Sequence, residues 1–349
     1  MTTAWLRNAW YVAGFTDEFS DEFGADRPLA RTLLGEPLVF FRGEGGALAA
    51  LADRCPHRFA PLSAGKVCAG GVIECAYHGL RFGSDGRCVH NPHGNGAIPK
   101  AAAVRSYVVR ERDRLVWLWA GDAAAADEAL IPDYARVAAA PDDAAVRGYL
   151  PSACDAQLLV DNILDLTHVD FLHPDSLGSG ALSRSTAQVT DLGERSTRIT
   201  WLSSGDLAPP AFDMHLREQG QPTDQWTEVT WTAPGCMLLN VGATLQGESR
   251  EQGIDTLNLH LTTPETEGRC HYWYWTTRNF AIDAAANEHV RGIIEHAFSQ
   301  QDKPMLEAQQ RRIGTAEFWS LKPVLLPGDA GAVRVRRKLQ ALVAKEQAA

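Results

Sequence analysis

The sequence predicts an α+β protein in two parts, a small all-β domain over residues 1–125 and a larger catalytic domain of segregated strands and helices over 126–349. Three observations predict this. The chain has 349 residues, more than one hydrophobic core ordinarily organises. Up to about residue 120, short apolar runs alternate with Gly, Asp and Asn, the pattern of strands and tight turns. Beyond an Ala-rich stretch at 121–127, runs of helical period appear on either side of a block of strand-like runs.

Taken in order, residues 37–41, 47–51 and 115–119 read as strands of the first part, and 121–127 as the connector. A helical segment follows over 155–172, then a loop rich in Gly and Ser at 176–186. Strand-like runs occupy 187–280, with 196–201 and 270–275 the clearest, and a long helical pattern runs over 284–312.

Composition excludes several classes. A hydrophobic fraction of 45% is ordinary for a globular chain. The net charge of −10 argues against nucleic acid and anionic membranes as partners, since both would repel it. No apolar run is long enough to span a bilayer, and the first residues lack the basic and aliphatic regions of a secretory signal, so a cytoplasmic location is expected. Seven cysteines, an odd number in a long chain, do not suggest a disulfide framework. Four of them fall between 55 and 88, which points to metal.

The first site is Cys55-Pro56-His57 followed, after seventeen residues, by Cys75-Ala76-Tyr77-His78. Each stretch offers one thiolate and one imidazole. Zinc accepts Cys₂His₂, but a single residue between ligands is tighter than finger spacing, and fingers place their two His together. A [2Fe–2S] cluster of Rieske type, with two Cys on one iron and two His on the other, fits better. Neutral imidazoles leave such a cluster less negative and raise its potential. Cys68 and Cys88 do not fit the spacing and read as small packing residues; His90 and His93, in a Pro- and Gly-marked loop, read as surface or cluster-packing histidines.

The second site lies in 161–173. Asn162, Asp165 and His168 are spaced by three and share one face of a continuous helix, a polar stripe in an apolar segment. His173, five residues after His168, needs the helix to end or bulge there, and Pro174 favours an end. A third ligand comes from the helix whose buried face is Val290, Ile293, Ile294, Ala297 and Phe298; Asp302 continues that face. A carboxylate there is costly to bury unless paired or metal-bound. His168, His173 and Asp302 make a 2-His-1-carboxylate set, which suits Fe(II) and leaves positions open for O₂. Pro304 is expected to kink the helix just beyond.

On these motifs the chain resembles the oxygenase components of the vanillate O-demethylase and dicamba O-demethylase group of Rieske non-haem iron oxygenases. The resemblance extends over essentially the whole length, from Arg7-Asn8-Ala9-Trp10-Tyr11 through Cys55-Pro56-His57-Arg58-Phe59-Ala60-Pro61 and Leu159-Val160-Asp161-Asn162 to Thr263-Pro264-Glu265-Thr266-Glu267 and Arg278-Asn279-Phe280. It implies a Rieske domain followed by a helix-grip (START-like) catalytic domain with an antiparallel sheet over the pocket. It also implies a head-to-tail homotrimer, in which Asp165 would bridge His78 of one subunit to His168 of the next, with Asp165 and Asn162 as catalytic residues beside the iron. Electrons would come from NADH through a separate flavin and iron–sulfur reductase.

The reaction implied is O₂-dependent O-demethylation of a methoxylated aromatic acid, vanillate-like, to a phenol and formaldehyde. Hydroxylation of a ring or benzylic methyl, or sulfonate or phenoxy cleavage, is the alternative within the class. A Rieske electron carrier, or a zinc-stabilised binding protein, is the alternative outside it; the first would leave two-thirds of the chain idle. Asn240 and His260, both in strand-like runs, are polar candidates for substrate contact, and His260 aligns with a substrate-contacting His of the group, while the group's matching Asn falls on Leu239. Ile293, with Ile163, Leu166 and Ile294, is an apolar candidate for the wall, and the loop at 177–180 is expected to act as a flexible lid.

Overall fold

Leu115 to Trp119 are all buried, Trp117 and Trp119 almost completely, so this run is covered on both faces rather than on one. It forms a strand of the first of two units into which the chain divides, Arg7–Pro132 and Asp133 onward. The computed structural model describes residues 5–20 and 27–348.

The strands of the first unit are, in chain order, β1 (Trp10–Phe15), β2 (Leu29–Leu33), β3 (Glu36–Arg42), β4 (Leu48–Ala52), β5 (Lys66–Cys68), β6 (Val72–Glu74), β7 (Arg81–Phe82), β8 (Cys88–His90), β9 (Ser106–Arg112) and β10 (Leu115–Trp119). They make a six-stranded antiparallel sheet in the order β1-β10-β9-β4-β3-β2 and a four-stranded one in the order β5-β6-β7-β8. One core, including Val39, Leu51, Leu62, Ile73 and Phe82, also takes in Cys55 and Cys75. The expected connector is ordered structure: Ala123–Ala125 form a 3-10 turn, capped by the Asp122 side chain.

The second unit is built on one seven-stranded antiparallel sheet. Its strands are β11 (Ala145–Ser152), β12 (Gln188–Asp191), β13 (Ser196–Leu207), β14 (Pro222–Thr232), β15 (Cys236–Leu245), β16 (Ile254–Thr266) and β17 (Arg269–Arg278), in the order β11-β17-β16-β15-β14-β13-β12.

The helices depart from expectation twice. The segment 155–172 is not one helix. Asp155 caps Ala156–Leu164 through the Gln157 N–H, and the helix then breaks at Asp165, whose backbone is not helical (φ −125°, ψ 86°). A 3-10 turn, Leu166–His168, and a short helix, Val169–Leu172, follow, with His173 ending the run as expected. The pattern over 284–312 is three pieces: an α-helix Ala284–Glu295, a π-helix His296–Asp302 and an α-helix Lys303–Ile313. The Lys303 N–H reaches back five residues to the Phe298 carbonyl. Pro304 has no N–H to restore the tighter ladder, and widened turns of this kind recur at functional sites. Among the described residues no helix is long and apolar enough to cross a membrane.

Candidate functional site

The two Cys–His loops are copies of one backbone arrangement. The Cys55 N–H donates to the Ala60 carbonyl and the Phe59 N–H to the Cys55 carbonyl, at 2.8 and 2.9 Å. In the second loop Cys75 N–H donates to Leu80 and Gly79 N–H to Cys75, at 2.8 and 3.0 Å. The residue four after each Cys is left-handed: Gly79 at φ +68° and, less comfortably, Phe59 at φ +62°.

Both thiols are buried while His57 is exposed and His78 half-buried, with the two rings 4.4 Å apart. Burial raises the Cys55 pKa, against the His57 and Arg58 N–H groups that donate to its sulfur. Desolvation and the neighbouring His57 hold His78 below its ordinary pKa, in the neutral form that ligates metal. Two thiols on the inner side and two imidazoles on the outer side fit a cluster of mixed Cys and His ligation. His93 Nε2 lies 2.8 Å from the His78 carbonyl, so it supports the loop, and His90 is exposed.

The second centre gathers residues from three elements. Asp302 Oδ1 lies 3.4 Å from His168 Nε2 and 3.2 Å from His173 Nε2. The three potential ligand atoms lie within 4.8 Å of one another. Two ligands at right angles on a metal about 2.1 Å away stand about 3 Å apart, so the set fits a facial triad. Each imidazole is held by its other nitrogen: His168 Nδ1 meets the Asp165 carbonyl and His173 Nδ1 the Gln301 side-chain oxygen, both at 2.7 Å. Both acceptors fix the proton on Nδ1 and leave Nε2 for the metal. Asn162 Nδ2 donates to Asp302 Oδ1 at 3.2 Å and lies 3.4 Å from His168 Nε2. Burial alone would raise the Asp302 pKa; the facing His168 and His173 rings outweigh it and bring it down to about 2.

Asp165 sits differently from expectation. Its break in the helix takes the carboxylate off the ligand stripe and onto Thr167, whose N–H and hydroxyl donate to Oδ1 at 3.1 and 2.7 Å. Its backbone carbonyl, not its carboxylate, meets His168.

A cavity of about 150 Å³ opens beside the triad. That is the size at which an apolar cavity takes one benzene ring. Ile163, Leu166, Ile293, Ile294 and Phe298 line it, together with His260. His260 is 2% exposed, and its pKa is lowered to about 4 by burial, so it is neutral. Its Nδ1 lies 2.7 Å from the Tyr272 hydroxyl, and its Nε2 has no hydrogen-bond partner among the described residues.

Asn240 is not part of the wall. Leu239 and Val241 line the cavity, so strand alternation turns Asn240 to the opposite face. There its oxygen accepts from the Trp226 indole N–H and its amide donates to Asp255 and the Thr256 carbonyl. The loop at 177–180 is tied down: Asp170 accepts from the Ser179, Gly180 and Ser183 N–H groups, and a Cβ added at Gly178 would stand 2.7 Å from the Val169 carbonyl.

The sequence reading missed Gln301 and Tyr272. The signal for Gln301 was present, because a metal-bound His requires an acceptor on its second nitrogen.

A Cys₂His₂ loop pair of this form, joined in one chain to a 2-His-1-carboxylate centre, defines a Rieske non-haem iron oxygenase. The comparisons agree. Residues 9–107 match the Rieske [2Fe-2S] domain and 152–345 the vanillate O-demethylase oxygenase C-terminal domain. The dicamba O-demethylase oxygenase component of Stenotrophomonas maltophilia is 40% identical, over 98% of this chain and 99% of the relative. The chloroacetanilide N-alkylformylase oxygenase component of Rhizorhabdus wittichii is also 40% identical, over 98% and 96%. A crystal structure of dicamba monooxygenase bound to 3,6-dichlorosalicylic acid superposes with a TM-score of 0.91 at 38% identity, covering 99% of this chain and all of that one. The chain belongs to the vanillate O-demethylase oxygenase family. It is the oxygenase component of a monooxygenase system, with a [2Fe–2S] cluster and a mononuclear iron as cofactors, and a separate reductase supplies its electrons.

Proposed function

We propose that the chain catalyses O-demethylation of a methoxylated aromatic acid of vanillate type. Methoxyarene, O₂, NADH and a proton become phenol, formaldehyde, water and NAD⁺. The observation that carries this reading is the buried His260 Nε2, unpartnered in an apolar cavity of one-ring size that ends on the iron ligands. Cys55, His57, Cys75 and His78 hold the cluster; His168, His173 and Asp302 hold the iron, which when bound activates O₂ for oxidation of the substrate methyl group.

The chain's own residues do the rest. His260 orients the substrate by its free ring nitrogen. Ile163, Ile293 and Phe298 exclude water and press the ring toward the iron ligands. Asn162 and Gln301 hold the ligand atoms in place.

The active form in this proposal is a head-to-tail homotrimer in the cytoplasm, served by an NADH-dependent flavin and iron–sulfur reductase. Asp165 then links His78 of one subunit to the iron centre of the next. Two features support that role: His57 and His78 lie on the outer side of their unit, and Asp165 Oδ2 makes no hydrogen bond among the described residues. The test is a product assay with a Rieske reductase, NADH and O₂ across methoxybenzoates, beginning with vanillate. Formaldehyde equal to phenol is the expected result; a hydroxylated product that keeps its methoxy group would overturn the reading.

A further inference from the structure

The cavity wall holds a second unpartnered polar atom that the demethylation reading does not use. Thr256, Asn258 and His260 alternate along β16 and all line the cavity. Asn258 is 9% exposed. Its Nδ2 donates to the Leu239 carbonyl at 3.2 Å and to Thr256 Oγ1 at 2.9 Å. The Thr256 hydroxyl donates in turn to the Val241 carbonyl at 3.4 Å. A carbonyl can only accept, and the Thr256 proton is already engaged, so both partners require the NH₂ group on that side. The amide orientation is therefore fixed, and Asn258 Oδ1, an acceptor, is left without a hydrogen bond among the described residues. Its cross-strand neighbours Leu239 and Thr276 do not donate to it.

The neighbouring His260 is of the opposite kind. Burial holds Tyr272 well above the ordinary phenol pKa, so it keeps its proton. Among the described residues the only hydrogen-bond partner of its hydroxyl is His260 Nδ1. If the imidazole donated there instead, the phenol proton would be buried without an acceptor. The hydroxyl therefore donates to Nδ1, and His260 presents an Nε2–H donor to the cavity. Two residues apart on one strand face, the donor and the acceptor stand roughly 7 Å apart.

We propose that Asn258 is a specificity-determining residue: its Oδ1 selects a one-ring aromatic substrate that carries a hydrogen-bond donor, an O–H or N–H group, while the substrate's acceptor group lies at His260. A carboxylate at Asn258 would set lone pairs against lone pairs, and an apolar group would leave the amide oxygen buried and unsatisfied. Plain methoxybenzoates thus fill the cavity without satisfying it. The inference rests on the demethylation reading for the aromatic class, not for the bond that is cut.

The test uses the loaded oxygenase and sets of methoxybenzoates bearing hydroxyl, amino or methyl at the same ring position. Kd is measured by anaerobic calorimetry, and formaldehyde release is followed with reductase, NADH and O₂. At one ring position the hydroxyl or amino congener is expected to bind about 10- to 100-fold more tightly than the methyl congener, the range of a buried hydrogen bond made or left unmade. The hydroxyl and amino arms say which donor is preferred. Asn258→Leu is expected to bring that ratio close to one, with its cluster spectrum and melting curve as evidence of folding. Equal or tighter binding of the methyl congener at every position in the wild type would overturn the inference, and needs no variant. Donor preference without formaldehyde would sustain the inference and overturn demethylation. Formaldehyde without donor preference would do the reverse. If no congener binds, both fall.

Discussion

The two candidate metal centres of this chain are built in different ways. The cluster site is local: two short loops repeat the same pair of backbone hydrogen bonds, each with a left-handed residue four after the Cys. The iron site is distributed: two histidines follow a broken helix, and the carboxylate arrives from a π-helix some 130 residues later, 129 positions from His173. The local site depends on turn chemistry. The distributed one depends on irregularities that put side chains where a straight helix would not.

That contrast can be broken most sharply at the ligands. Asp302→Ala should abolish turnover and leave the red-brown cluster spectrum intact, whereas Cys75→Ser should lose the spectrum. Iron per chain should then fall from about three to about one. Loss of both centres in either variant would mean that the sites are not separable.

A second test concerns the pocket wall beside the iron. Burial holds His260 neutral, with a pKa of about 4 against about 6.5 unfolded. The unfolded chain therefore takes up this proton first. The neutral state stabilises fully above about pH 6.5, and that contribution is lost as pH falls toward 4, in total about 3 kcal/mol. His260→Leu should flatten the acid limb of a stability–pH curve in that window. An unchanged limb would place the charge change elsewhere.

Gln301→Leu removes the acceptor on His173 Nδ1 and should weaken iron binding or activity by about 10- to 100-fold, with the cluster unaffected. The smallest effect belongs to the cluster loops. Gly79→Ala places a Cβ at φ +68° and 3.2 Å from Pro92 Cγ, and should lower stability by about 1–2 kcal/mol. Phe59→Gly, which relieves the same conformation in the sister loop, should not destabilise by more than about 1 kcal/mol. Thermal unfolding of the two variants compares them directly.

The same contrast explains what the sequence could say. The loop arrangement that brings Cys55, His57, Cys75 and His78 together was legible because their spacing lies within single turns. The strands and the two-part organisation were legible from alternation and punctuation. Asp302 could be found because it continues the buried face of Phe298 and Ile294. The break at Asp165 was not legible, because a three-residue spacing draws an unbroken helix; Asp competes with that helix by capping the next turn through Thr167. Asn240 failed for a related reason. Alternation says that neighbours face opposite ways but not which of them faces the cavity, and the Trp226 indole that holds Asn240 lies fourteen residues away. The loop at 177–180 looked mobile from its Gly and Ser, yet Asp170 supplies acceptors for two of its N–H groups and for that of Ser183 just beyond.

The central claim is that cluster and iron work as one oxidising unit on a methoxylated aromatic acid. The most direct measurement is a single turnover: the protein is reduced anaerobically, separated from reductase and NADH, and mixed with O₂ with and without substrate. Formaldehyde should form, and the cluster should reoxidise rapidly, only when substrate is present, with neither seen in Asp302→Ala. Reoxidation at the same rate without substrate, or without formaldehyde, would contradict the account.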